Sequence, residues 1–102
     1  MKSVVGMGNR KNVIRDKSFQ FALNIISLNQ KLVNNKKFVI ARQLIKSGTS
    51  IGANIEEATA AQSKRDFVAK MSIASKEARE TKYWLRLLKH SDLIEFDSTS
   101  YF

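Results

Sequence analysis

Apolar residues recur along most of this chain at helical rather than strand spacing. Ala41, Leu44, Gly48, Ile51, Ile55, Ala58 and Gln62 step by 3, 4, 3, 4, 3, 4, the seam of a helix packed on other helices. Locally, Ser47-Gly-Thr-Ser-Ile-Gly52 reads as a loop, because glycine and hydroxyl residues punctuate structure. The period argues the other way, and a helix over 37–61 is expected. Each glycine inside that helix costs roughly 1 kcal/mol against alanine, so close packing at Gly48 and Gly52 must offset it. A second seam, Phe67, Met71, Ala74, Ala78, Thr81, Leu85 and Leu88, predicts a helix over 64–90. Ser63-Lys-Arg-Asp66 ahead of it has the form of a capping box.

The first helix is expected over 13–33. Ile14, Phe21, Ile25, Leu28 and Leu32 form one face, and Phe19, Ala22, Ile26 and Val33 a second line beside it. So wide an apolar arc predicts cover on both sides, by the core and by another subunit. Asn34-Asn35-Lys36-Lys37 is short and polar, suited to an antiparallel connection. Residues 1–12, with Gly6, Gly8, Asn9 and Asn12, read as a disordered N-terminal segment, with Met7 an alternative start. Residues 13–102 read as one helical domain. After His90 the period fails. Asp97-Ser-Thr-Ser100 has the composition of a cap for a fourth helix at Tyr101. The expected fold is therefore all-α, an up-down antiparallel bundle of the four-helix type with its fourth helix absent or truncated. Three such helices leave an apolar groove open.

Composition narrows the chemistry. The 102 residues contain no cysteine and no proline. Disulfides, thiolate metal sites and cysteine nucleophiles are excluded, and the helices can run unbroken. No apolar run reaches the roughly 18 residues of a membrane span, and the N-terminus lacks a secretory apolar region; the expectation is a cytoplasmic protein without a membrane partner. His90 is the only histidine. It sits at a helix C-terminus, where an imidazole meets the negative end of the dipole, and no second catalytic group accompanies it. Glu56 and Glu57 are adjacent, so their side chains diverge by about 100° and form no carboxylate dyad. No metal site, no cofactor and no catalytic residue is expected; RNA cleavage through His90 is the weakest reading. Asn54, at the seam's edge, is expected to hydrogen-bond across helices.

Charge points to a partner. Eighteen basic residues oppose nine acidic ones, a net charge of +9. Residues 1–37 carry +7, residues 38–90 carry +5, and residues 91–102 carry −3. Arg79, Lys82, Arg86 and Lys89 share a sector of the third helix about 80° wide, with Arg65 and Tyr83 beside them. A basic strip flanked by an aromatic suits phosphates and a stacked base. Arg42, Lys46, Lys64, Arg65, Arg79, Lys82 and Arg86 are the candidate nucleic-acid contacts. Phe19, Ile26, Ile73, Trp84 and Leu87 are the candidate interface for another subunit or a protein partner. The leading expectation is a non-enzymatic oligomeric scaffold for RNA or DNA, and the alternative is a protein-interaction adaptor using the apolar strips of helices one and three.

Two long blocks carry a family resemblance: Arg42-Gln-Leu-Ile-Lys-Ser-Gly-Thr-Ser-Ile-Gly-Ala-Asn-Ile-Glu-Glu-Ala58, and Ser63-Lys-Arg-Asp-Phe67 continuing through Lys76-Glu-Ala-Arg-Glu-Thr-Lys-Tyr-Trp-Leu-Arg-Leu-Leu88. Asp16-Lys-Ser-Phe19 adds to them. They resemble the bacterial four-helix bundle proteins encoded in intervening sequences of 23S ribosomal RNA genes, to which the accessory protein of diversity-generating retroelements is similar. The resemblance implies an up-down four-helix bundle and a homopentameric ring. The retroelement relative binds nucleic acid and a reverse transcriptase through a basic surface; the family resemblance itself brings no settled molecular role and no catalytic residues. The chain departs from the pattern at its C-terminus, where the fourth helix is missing or barely begun.

Overall fold

The computed structural model describes residues 8–95 and residue 101, with side chains described from residue 12 onward. Among these residues the fold is all-α. It has three helices and no strand: α1 (Gly8–Asn34), α2 (Phe38–Thr59) and α3 (Lys64–Ser91). α1 starts at Gly8, about five residues before the apolar period begins. Nothing breaks the backbone ladder there, and the Arg15 guanidinium donates to Asn12 Oδ1 at 3.0 Å within that first stretch. Of the segment read as disordered, residues 1–7 lie outside the described residues.

Local chemistry sets the boundaries. α1 ends in a Schellman motif: Lys37 N–H donates to Leu32 O at 2.8 Å and Lys36 N–H to Val33 O at 2.9 Å. Lys36 takes the left-handed position, with φ 62°, that glycine usually fills. α3 begins as the capping box predicts, with Ser63 Oγ accepting from Asp66 N–H at 3.1 Å. It stops at Asp92, whose φ of 58° turns the chain out of the helix. α2 ends at Thr59, two residues short of the predicted end, and Gln62 is exposed in the following turn.

α2 is the middle helix and packs along both others. Gly48 lies against Ile25 and Gly52 against Ser18, so α1 and α2 are antiparallel. α3 returns alongside α2, which makes α1 and α3 parallel. The core is Ile25, Leu28 and Leu32 of α1, Ala41 and Leu44 of α2, and Leu85 and Leu88 of α3. The buried hydroxyls bond within their own helices: Ser47 Oγ donates to Gln43 O at 3.0 Å and Thr81 Oγ1 to Glu77 O at 2.7 Å. Asn54 follows the same local rule, which corrects the expected bond across helices. Its amide donates to Ser50 O at 2.9 Å and Ser50 Oγ at 3.1 Å, one turn earlier on α2.

Besides Gln62, two positions assigned to the core by period alone are exposed. Ile14 is 43% exposed, and Ala78 is exposed too. Both line a groove between α1 and α3 that none of the three described helices covers. The period identified the apolar face correctly, and three helices do not close it.

The α1–α2 contact is tested by a pair of substitutions. An added Cβ at Gly48 would stand 2.8 Å from Ile25 Cγ1 and 2.9 Å from its Cγ2. Ile25 is fully buried and cannot yield. Gly48→Ala should therefore destabilise by about 1–3 kcal/mol, overpacking outweighing the gain in helix propensity. At Gly52 the nearest atom would be Ser18 O at 3.4 Å, an ordinary contact. Gly52→Ala should be neutral or stabilise by up to about 1 kcal/mol. Urea unfolding followed by circular dichroism would distinguish the two; equal effects would contradict the packing described.

Candidate nucleic-acid interface and the open groove

Because Ser63 fixes the start of α3, it also fixes which face each later side chain occupies. The buried face is Ala74, Thr81, Leu85 and Leu88. On one flank, Ala78 and Lys82 line the groove toward α1. On the other, Lys70, Glu77, Glu80 and Trp84 are half-buried toward α2. The outward face carries Arg65, Arg79, Tyr83, Arg86 and His90, with Lys64, Lys82 and Lys89 at its groove edge, all exposed. The acids of α3, Asp66, Glu77 and Glu80, lie off this face by helical phase. α3 is therefore divided lengthwise into a cationic face and a mixed flank.

Tyr83 follows Arg79 by four residues and precedes Arg86 by three, so all three are neighbours on the helix surface. Tyr83 stands edge-on to Trp84, with ring centroids 5.4 Å apart and planes at 68°. Trp84 packs on the core, and its indole N–H lies 3.5 Å from Glu80 Oε2. The phenol ring is thus backed by an anchored indole while 55% exposed. Arg79 is steadied by a 3.0 Å bond from its guanidinium to Ser75 Oγ.

The seven candidate phosphate contacts fall into three groups. Arg79, Lys82 and Arg86 come together on α3, with Lys89 continuing the strip. Lys64 and Arg65 are exposed at the start of α3, about 21 Å further along at 1.5 Å per residue. Arg42 and Lys46 are exposed one turn apart on the outer face of α2, separated from the strip by the Trp84 flank. Among the described residues no group of His, Asp and Glu could hold a metal ion, and His90 is exposed in the last turn of α3.

The candidate interface residues divide between two lateral faces. Phe19 is 58% and Ile26 49% exposed on α1, joined by Leu23 and Val33 on the side toward α2. Ile73 and Leu87, each 41% exposed, lie on the α2 side of α3. Trp84 between them belongs substantially to the core. Its removal would therefore weaken the fold, not only a surface.

The groove between α1 and α3 encloses about 560 Å³. Its floor is Ile14, Phe21, Ile51, Ile55, Ala78 and Leu85, and Lys17 and Lys82 stand at its sides. Lys17 is a residue that sequence reasoning passed over. The available signal was its spacing, three after Ile14 and four before Phe21, which sets it at the margin of an apolar face. Tyr101 closes one end. Its ring meets Phe21 edge-on at 6.3 Å, and its hydroxyl donates to Asn24 O at 3.2 Å. Burial pushes its phenol above the usual value. Although the helical period fails after His90, Tyr101 is half-buried, since Phe21 offers it an apolar seat; residues 96–100, which hold the cap read for a fourth helix, and Phe102 lie outside the described residues. Ile94 also packs on the core, and the Lys31 ammonium donates to the Glu95 carbonyl. No described helix is long and apolar enough to cross a membrane.

The family model described as 23S rRNA-intervening sequence protein matches residues 10–101. Among solved structures, the chain is similar to a protein with unknown function from the S23 ribosomal protein family of Bacteroides thetaiotaomicron VPI-5482. The two are 53% identical with a TM-score of 0.79, over 83% of this chain and 77% of the other. No curated protein matches.

Proposed function

The chain belongs to the 23S rRNA-intervening sequence protein family, and from that premise we propose that it is a cytoplasmic, non-enzymatic, oligomeric helical scaffold that binds RNA or DNA through the basic face of α3. The observation that carries the reading is the segregation of charge on that helix. Arg79, Lys82 and Arg86 are exposed together around Tyr83, and no acid of α3 shares their sector. A chain of net charge +9 attracts polyanions at long range. The strip supplies the local geometry: cations for phosphates and a backed ring for a base. Lysine and arginine on phosphates position a strand without reading its sequence, so binding is expected to be sequence-tolerant. Neither the family description nor the similar structure names an enzymatic activity.

The architecture belongs with this reading. α1 and α3 run parallel with a groove between them, and this placement supports a bundle of the four-helix type, as the family resemblance implies. Self-association is supported by the two lateral apolar faces. Phe19 and Ile26 on one side and Ile73 and Leu87 on the other are different surfaces, so pairing one with the other is heterologous, and heterologous contacts close into rings. A pentamer, implied by the family resemblance, is one such ring. The same faces serve the alternative, an adaptor that docks another protein.

Two measurements test these claims. Fluorescence anisotropy with a mixed-sequence single-stranded RNA should show affinity falling steeply from 50 to 200 mM salt, titration points chosen to span the range where counterion release dominates. Replacing Arg79, Lys82 and Arg86 together by alanine should weaken binding and reduce the log–log salt slope by about 2, at roughly 0.7 per phosphate contact on a single strand. An unchanged slope would remove α3 from the interface. Separately, light scattering on Phe19→Asp and Ile26→Asp should report a smaller molar mass than the parent with helical content retained. A parent chain that is already a monomer would end the ring proposal.

A further inference from the structure

We infer that Tyr83 makes the outward face of α3 selective for single-stranded nucleic acid, stacking one base while Arg79 and Arg86 hold the phosphates beside it. The inference rests on the reading of that face as a nucleic-acid surface and names the form of strand it takes. Tyr83 is two residues from buried Thr81, so it projects about 160° away from it around the helix. Unlike Lys82, it does not line the groove between α1 and α3.

The ring is exposed and already supported. Trp84 meets it edge-on, and Trp84 itself packs on the core. A side chain held in this way loses little freedom when a base lands on it. Arg79 stands one turn before Tyr83 and Arg86 one turn after, about 6 Å and 4.5 Å along the axis. Both lie to the same side of it, by about 40° and 60° of helical phase. One N–H of Arg79 goes to Ser75 Oγ, and a guanidinium has five. A strand running along α3 would therefore meet a cation, a ring and a second cation in turn, the order of phosphate, base and phosphate. Lys76, exposed two turns before Tyr83 and almost in line with it, extends this track toward the start of the helix.

A duplex fits this arrangement poorly. Its base faces are stacked on one another, and a protein meets only base edges and phosphates, so the Tyr83 ring would find no face to cover. A helix seated in the major groove, about 12 Å wide, also has phosphates on both sides. α3 offers cations on one shoulder of Tyr83 only. The other shoulder carries Glu80 and Trp84, both half-buried, and Leu87. A carboxylate and apolar groups there would repel or ignore a second row of phosphates. A single strand has its phosphates along one edge and its base faces free, and stacking of this kind accepts every base.

The test uses the full chain and four fluorescent probes of about 12 nucleotides, within the site sizes of single-strand binders. They are a mixed-sequence RNA strand, the DNA strand of the same sequence, its DNA duplex, and a DNA strand whose bases are replaced by abasic sites. At one salt concentration both base-bearing single strands should bind more tightly than the duplex, and the abasic strand about tenfold more weakly than its parent. Tyr83→Ala should weaken the base-bearing single strands by about tenfold. It should leave the duplex, the abasic strand and the salt slope unchanged, whereas Tyr83→Phe, which keeps the ring, should match the parent. Ultraviolet crosslinking of a 5-iodouracil strand to the unaltered chain should map to Tyr83, a readout independent of how any variant folds. An equal loss on all four probes in Tyr83→Ala would make the ring a support for the face and overturn the inference. So would a preference for RNA that survives Tyr83→Ala, which would assign selectivity to the 2′-hydroxyl. Duplex binding as tight as that of the single strands, with a salt slope that falls in Arg79→Ala with Arg86→Ala, would overturn it while the basic-face reading stands. Binding of no probe would remove that reading and this inference together.

Discussion

The structure depends on one close approach, between Gly48 of α2 and Ile25 of α1. With no side chain at Gly48, the fully buried isoleucine comes within a distance that a Cβ would forbid. That contact fixes how near α1 lies to α2 and the register at which Ser18 meets Gly52 four residues on. Leu28, Leu32 and Leu44 then fall into one layer with Leu85 and Leu88. A glycine that weakens an isolated helix here stabilises the bundle, because dispersion and burial at a tight helix crossing outweigh the backbone entropy it costs.

Much of this was legible in the residues, for a definable reason. Seam spacing reports which face of a helix is apolar, and in α2 it outvoted the loop-like composition of Ser47–Gly52. The capping box at Ser63 located a boundary because a hydroxyl acceptor at an N-terminus is a local interaction. What spacing does not report is whether an apolar face is covered. Ile14 and Ala78 carry the right period and stand open, because cover depends on a neighbour that their own helix does not encode. Asn54 shows the complementary limit. A partly buried amide must be satisfied, but its own helix offered Ser50 one turn away, and the nearer partner won. Lys36 in a left-handed turn was equally hidden, since the cap is made by backbone groups rather than by the residue's type.

The candidate site was legible at the level of one helix and not beyond it. Helical phase alone assembled Arg79, Lys82 and Arg86. Whether Arg42 and Lys46 join them depends on how α2 is rotated against α3, and the half-buried Trp84 and Glu80 between the helices keep the groups apart. The uneven charge along the chain acquires meaning only in three dimensions. The Lys31 ammonium meets the main-chain carbonyl of Glu95, while Glu77 and Glu80 of α3 are half-buried off its outward face. The outward face of α3 is left cationic, and so are the lysines at the sides of the groove.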